Sequence, residues 1–127
     1  MTMIKASNAF SGFSVDDLEA AKKFYGETLG VAFEEIPAGL TLKIGSGILV
    51  YPKGADHVPA AYTMLNFRVD DIDQAVDDLK AKGVEFEHYK GMTDEKGIAR
   101  GIAHKRGPDI AWFKDPAGNI ISVLQEG

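Results

Sequence analysis

"FSVDDLEAAKKFY" runs from Phe13 to Tyr25, and "FRVDDIDQAVDDL" runs from Phe67 to Leu79. At an offset of 54, Phe13, Val15, Asp16, Asp17 and Ala21 recur as Phe67, Val69, Asp70, Asp71 and Ala75. One residue then drops out, and Gly30, Val31, Phe33 and Glu34 recur as Gly83, Val84, Phe86 and Glu87. These nine identities cover a strand, a helix and the start of a second strand. They describe one supersecondary module present twice, too few copies for a solenoid.

Each copy reads the same way. Residues 9–15 alternate as a strand does, and Asp16 then stands at the expected helix N-cap with Glu19 three residues later, the spacing of a capping box. Leu18, Ala21 and Tyr25 recur at helical spacing, and Gly30 sits where a left-handed C-cap stops a helix. In the second copy Asp70 is the expected cap, Ile72, Ala75, Val76 and Leu79 share a face, and Gly83 ends the helix. Strands are expected at about 31–37, 40–45 and 47–52, then at about 84–89, 98–104 or later, 109–114 and 119–125.

Module one therefore covers about 8–52 and module two about 62–126, with linker chemistry in "KGADHVPAA" at 53–61. "DPAGN" at 115–119 is assigned wholly to turn geometry, because Pro fixes φ while Gly and Asn tolerate positive φ. The segment 91–109, rich in glycine and charge, has the composition of a mobile loop or lid.

The composition narrows the functions available. The 127 residues suit one domain, 1–127, with one core. The absence of cysteine excludes disulfides, thiol catalysis and thiolate metal sites. A net charge of −5, with scattered Lys and Arg, argues against nucleic acid as a partner. No apolar run is long enough to span a membrane. The opening "MTMIKASNAF" lacks the apolar stretch of a signal peptide, so the mature chain is expected to begin here and to stay in the cytoplasm.

Two tandem βαβββ modules ending on a "DPAGN" hairpin resemble the vicinal oxygen chelate superfamily, which includes glyoxalase I, extradiol dioxygenases and bleomycin-resistance proteins. The resemblance covers essentially the whole chain. It implies an α+β fold of curved sheets around a central cavity, with helices outside. It also implies a homodimer, whose exposed sheet edges favour pairing.

Strand parity then selects the residues expected to line the cavity. Phe13 and Val15 face the helix, so Phe10, Gly12 and Ser14 carry the opposite face. By the repeat, Met64, Asn66 and Arg68 occupy that face in module two. In the last strand the family pattern turns Ser122 inward, and Leu49 and Tyr51 are its counterparts within a residue of alignment. Trp112 pairs with Ser122 across the hairpin, which points it into the cup or leaves it in the core.

The superfamily's metal enzymes set His or Glu on four such strands. Carried over residue by residue, those positions here are Phe10, about Leu49, Met64 and Ser122. None is a histidine or carboxylate, and one hydroxyl cannot hold a divalent ion. No metal and no cofactor are expected. His57, His88 and His104 lack paired spacing and are read as solvated or structural, with His104 the one that a lid could use as an acid or base. Arg68 has two readings: an ion pair with a nearby acid, or an anchor for an anionic ligand.

Three classes of function remain open. The favoured one is a metal-free binding protein for a small, partly aromatic molecule. The others are a non-metal lyase or isomerase on the same scaffold, and an interaction module whose cavity its own side chains fill.

Overall fold

The structure is a computed structural model and describes residues 3–127. The chain divides into two compact units, Met1–Pro59 and Ala60–Gly127, with the boundary inside the segment of linker composition. The first unit runs β1 (Ser11–Val15), α1 (Leu18–Lys22), β2 (Phe33–Ile36), β3 (Gly39–Leu42) and β4 (Ile48–Pro52). The second runs β5 (Thr63–Arg68), α2 (Ile72–Ala81), β6 (Ile98–Arg100), β7 (Asp109–Lys114) and β8 (Ile120–Gln125). Each unit holds one four-stranded mixed sheet, ordered β1-β4-β3-β2 in the first and β5-β8-β7-β6 in the second. This is the expected α+β architecture of two βαβββ modules. Only β1–β4 and β5–β8 are parallel, because antiparallel neighbours can be joined by a tight turn and parallel ones need a longer crossover.

One face of each sheet is apolar and buried. In the first unit Val15, Leu40, Leu42 and Val50 are buried together with Ala21 and Tyr25. In the second Leu65, Ile98, Phe113, Ile121 and Val123 are buried with Ile72 and Val76 of α2. Each large aliphatic or aromatic side chain removed from water contributes about 1.5–3 kcal/mol, so these faces hold the helices to the sheets.

Both helices start one residue later than expected. Asp17, not Asp16, is the first cap: its Oδ1 accepts from the Glu19 and Ala20 N–H groups at 3.0 and 3.2 Å. Asp71, not Asp70, caps α2, accepting from Gln74 N–H at 3.1 Å. A cap must hold extended backbone dihedrals immediately before the first helical residue, and Asp17 and Asp71 do so. With two adjacent aspartates, composition alone does not choose between them. The C-terminal stops lie where expected, with Gly30 at φ 70° and Gly83 at φ 92°.

The residue that separates the two copies has a place. After α1 the chain widens into a π-helical turn, Lys23–Thr28. Val31 N–H then bonds Tyr25 O at 2.8 Å, and in the second unit Val84 N–H bonds Leu79 O at 3.0 Å. Tyr25 and Leu79 are repeat partners, as are Val31 and Val84. The same helix-to-strand contact therefore closes over one more residue in module one, and the wider π turn absorbs it.

The sheet edges differ from the sequence reading. β1 begins at Ser11, so Phe10 falls just outside the strand. The expected strand 84–89 supplies only a bridge between Phe86 and Phe113 and a bond from Glu87 N–H to Trp112 O at 2.8 Å. The chain then leaves the sheet, and Ile98–Arg100 takes the rest of that edge, paired with Asp109–Ala111. The expected strand 98–104 is correspondingly short and passes into a 3-10 turn, Ile102–His104.

Nor is 91–109 loose along its length. Arg100 donates to both carboxylate oxygens of Asp73 at 2.8 and 2.9 Å and to Asp94 at 2.9 Å. Lys96 bonds Asp73 at 3.0 Å and pairs with Asp77 at 3.1 Å. Asp94 itself accepts from the Lys96 and Ile98 N–H groups at 2.9 Å each. This network fastens 94–100 to α2. Among the described residues, no helix is long and apolar enough to cross a membrane.

Candidate functional site

Register pairs define the face of each sheet that turns away from its helix. In the first unit Gly12 lies beside Leu49, and Ser14 beside Tyr51. In the second Asn66 lies beside Ser122, and Arg68 beside Leu124. β7 continues the second row, with Trp112 beside Ser122 and Ile110 beside Leu124. Gly12, Ser14, Leu49 and Tyr51, selected by alternation and the superfamily pattern, are therefore neighbours, and so are Asn66, Arg68, Trp112 and Ser122, selected by the repeat, the hairpin and that pattern. Phe10 precedes β1 and is 66% exposed. Met64 sits at a bulge, where β5 advances from Thr63 to Leu65 while β8 advances only from Ile120 to Ile121.

That bulge recruits a residue the sequence did not point to. It sets Thr63 beside Ile120, on the face that Ser122 shares by alternation. The Trp112 indole N–H donates to Thr63 Oγ1 at 3.1 Å. Trp112 is on β7 and Thr63 on β5, so the indole lies across the intervening strand β8. The Tyr89 ring meets it edge-on at 5.5 Å between centroids. Ser122 is fully buried, and its hydroxyl bonds the Asn66 side-chain oxygen at 2.5 Å. The hydroxyl is thus engaged by Asn66, with the indole passing over its strand.

Two further expectations take definite form. Arg68 pairs through Nε with Glu126 Oε1 at 2.5 Å while remaining largely exposed. Of its two readings, the ion pair is the one present. His57, in the linker segment, bonds Ser14 Oγ at 2.7 Å and so ties that segment to β1. The "DPAGN" turn is structural: Asp115 N–H bonds Asn119 O at 2.9 Å, and Asp115 Oδ1 accepts from Ala117 and Asn119 N–H at 2.9 Å each.

Beside the Trp112 row, the second unit opens into a groove of about 880 Å³. Ala99, Ile110 and Trp112 supply its strand side, and Met92, His104, Arg106 and Pro108 come from the surrounding loops. Asp94 and Arg100 also line it, and each is already engaged. Hydrogen bonds from Arg100, then from Lys96, hold the Asp73 carboxyl well below the usual carboxylate range. Burial pushes Asp94 up, but hydrogen bonds from Ile98 N–H, Arg100 and Lys96 N–H outweigh it and leave its pKa lowered. The same contacts, Asp73 foremost, raise Arg100. Met92 and Arg106 escaped the sequence reading, since a loop's side chains follow no period that points them anywhere.

The model of the glyoxalase/bleomycin resistance protein/dioxygenase superfamily matches residues 9–123. The chain belongs to that superfamily. Solved structures with the same fold include a glyoxalase family protein from Bacillus anthracis, at 23% identity over all of both chains and a TM-score of 0.71. TnmS3, an antibiotic-binding protein from Streptomyces sp. CB03234, aligns over all of both chains at 23% identity and a TM-score of 0.68. A glyoxalase/bleomycin resistance protein from the same Streptomyces is 27% identical, with 94% of this chain and all of that one covered and a TM-score of 0.61. No curated protein matches the sequence.

Superfamily membership raises the question of a metal, and the donors present do not fit one. Leu49 and Met64 bring no nitrogen or oxygen donor, Phe10 lies outside its strand, and the Ser122 hydroxyl is taken by Asn66. Among the described residues, no three His, Asp or Glu side chains converge as a divalent ion requires.

Proposed function

We propose that this chain binds a small, partly aromatic molecule without a metal at the superfamily's ligand positions. The observation that carries the reading is Ser122. Where a metal enzyme of this fold sets a carboxylate, this chain sets a buried hydroxyl bonded to Asn66, beneath an indole that bridges to Thr63. Apolar and aromatic walls with a few placed polar groups are the usual make-up of a small-molecule site. Asn66 and Trp112 of module two are the contacts assigned to the ligand. TnmS3, which shares the fold, is an antibiotic-binding protein, and that supports the same class of ligand here. His104 is exposed, which is not the desolvated setting that tunes a general acid or base, so binding is preferred over lyase or isomerase chemistry. A homodimer is part of the proposal, on the superfamily resemblance and because exposed sheet edges favour pairing. The cytoplasm is the proposed location.

The test is a thermal-shift screen of aromatic compounds run in EDTA, because any ligand of the native state raises its melting temperature. At least one compound class is expected to stabilise the protein with chelator present and to change the emission of Trp112, the single tryptophan. A stoichiometric metal that is lost in Ser122→Ala, or binding that vanishes with EDTA, overturns the reading.

A further inference from the structure

We propose that the groove beside Trp112 selects aromatic acids, with Arg106 and His104 receiving the acidic group while the indole and Met92 hold the ring. The inference rests on the reading of this chain as a small-molecule binder and names the class of molecule.

The charges around the groove leave a cationic corner in a protein of net charge −5. Two of the lining charges are spoken for. Asp94 accepts from Arg100, and Arg100 also holds Asp73 through both carboxylate oxygens. The Arg106 guanidinium has no ion-pair partner among the described residues. Only its backbone is fixed, by a bond from Arg106 N–H to Gly101 O at 2.9 Å. His104 lines the same groove. A guanidinium offers paired donors whose geometry matches a carboxylate.

The loop that carries this corner is tightly closed. A Cβ placed on Gly101 would lie 2.4 Å from Pro108 O and 2.8 Å from Gly107 O. Lys105, at φ 54°, turns the chain between His104 and Arg106. Met92, Ala99, Ile110 and Trp112 give the same groove an apolar lining. Trp112 lines the groove, fixed by a T-shaped contact with Tyr89 and by its N–H bond to Thr63, so its ring is already in position. Met92 is 59% exposed, and a thioether makes favourable contact with aromatic rings. A flat ring against Trp112 and Met92, bearing an acidic group toward Arg106, satisfies both the apolar lining and the cationic corner.

Two molecules of the same shape separate charge from ring: 2-naphthoate and its neutral amide, 2-naphthamide. Binding is read on the full protein by two-dimensional 15N NMR, where Trp112 gives the single indole N–H signal. 2-Naphthoate is expected to shift that signal and the amides of 91–108, and to bind at least about tenfold tighter than the amide, the value of one charge-assisted hydrogen bond. Arg106→Gln is expected to abolish the difference, and Arg106→Lys to keep part of it. His104→Gln is expected to reduce it less than Arg106→Gln does. Equal affinity of the two molecules at the Trp112 groove overturns acid selectivity and leaves the small-molecule site standing. Shifts confined to residues outside 91–112, or no shifts with either molecule, overturn the groove as the site, whereas the metal-free binder itself is judged by the EDTA screen. A preference that survives in Arg106→Gln, with a well-dispersed spectrum showing that variant folded, removes Arg106 from the role.

Discussion

One row of side chains runs across each sheet on the face away from its helix, and the two rows occupy the same backbone positions. In the first unit the row is Gly12, Leu49, Thr41 and Glu34. In the second it is Asn66, Ser122, Trp112 and the segment at Glu87. The first row pairs the smallest residue with a branched apolar one: a Cβ on Gly12 would lie 3.1 Å from Leu49 O and 3.3 Å from Leu49 Cβ. The second reverses the sizes, a longer amide beside a small hydroxyl, joined by a hydrogen bond and crossed by an indole. Backbone register constrains which residues are neighbours; it does not constrain their chemistry. The helix-facing sides stayed apolar in both units because each must cover a core, whereas the opposite faces were free to diverge.

Exchanging residues between the rows tests this, and the largest effect is expected at Ser122. Ser122→Glu buries a carboxylate with no cation beside it and is expected to cost about 3 kcal/mol or more. The same change at the partly exposed Leu49 is expected to cost less. Urea unfolding of the two variants makes the comparison, and equal losses would mean that the two positions differ in name only.

A smaller effect is expected from importing the amide into module one. Gly12→Asn presses a side chain onto Leu49 and is expected to cost about 1–3 kcal/mol. Adding Leu49→Ser, which recreates the Asn66–Ser122 pair, is expected to recover part of that loss. The recovery appears as a coupling of about 1 kcal/mol in a double-mutant cycle, and strictly additive losses would show that the two rows are not equivalent.

The smallest effect compares the acids on the two helices. Glu19 and Asp73 are repeat partners. Glu19 shares Lys22 with Glu35, while Asp73 takes both Arg100 and Lys96. The folded-state pKa of Asp73 is depressed, so its contribution is fully present above the unfolded value of 3.8 and fades as pH falls from there toward the folded value. Solvent screening at this half-exposed group limits it to about 1 kcal/mol. Stability of Asp73→Asn and the parent, measured by urea melts from about pH 7 to about pH 2, is expected to differ most at neutral pH and to converge in acid. A gap that stays constant with pH would mean that the contribution is not ionic.

The sequence was read most accurately where a period or a repeat constrained it. The duplicated "VDD" starts, the stops at Gly30 and Gly83 and the alternation of β1, β4, β7 and β8 placed the modules and paired Trp112 with Ser122. It was read less well where two residues of one type competed, as at Asp16 and Asp17, or where a strand had to find its partner, as at 84–89. Phe10 falls before β1 and Met64 at a bulge for a related reason. A strand's first residue and a bulge are set by hydrogen bonds to the neighbouring strand, which alternation does not report.

By itself, then, the sequence determined the duplicated α+β fold and the helix-facing cores. These follow from periodicity and residue type, which are local properties. Tertiary structure alone decided that Thr63 anchors Trp112, that Arg68 pairs with Glu126, that 94–100 is fastened to α2, and that Met92, His104 and Arg106 meet beside the indole. Each of those depends on contacts between segments far apart in the chain, where no spacing rule acts and only the packed backbone sets the distance.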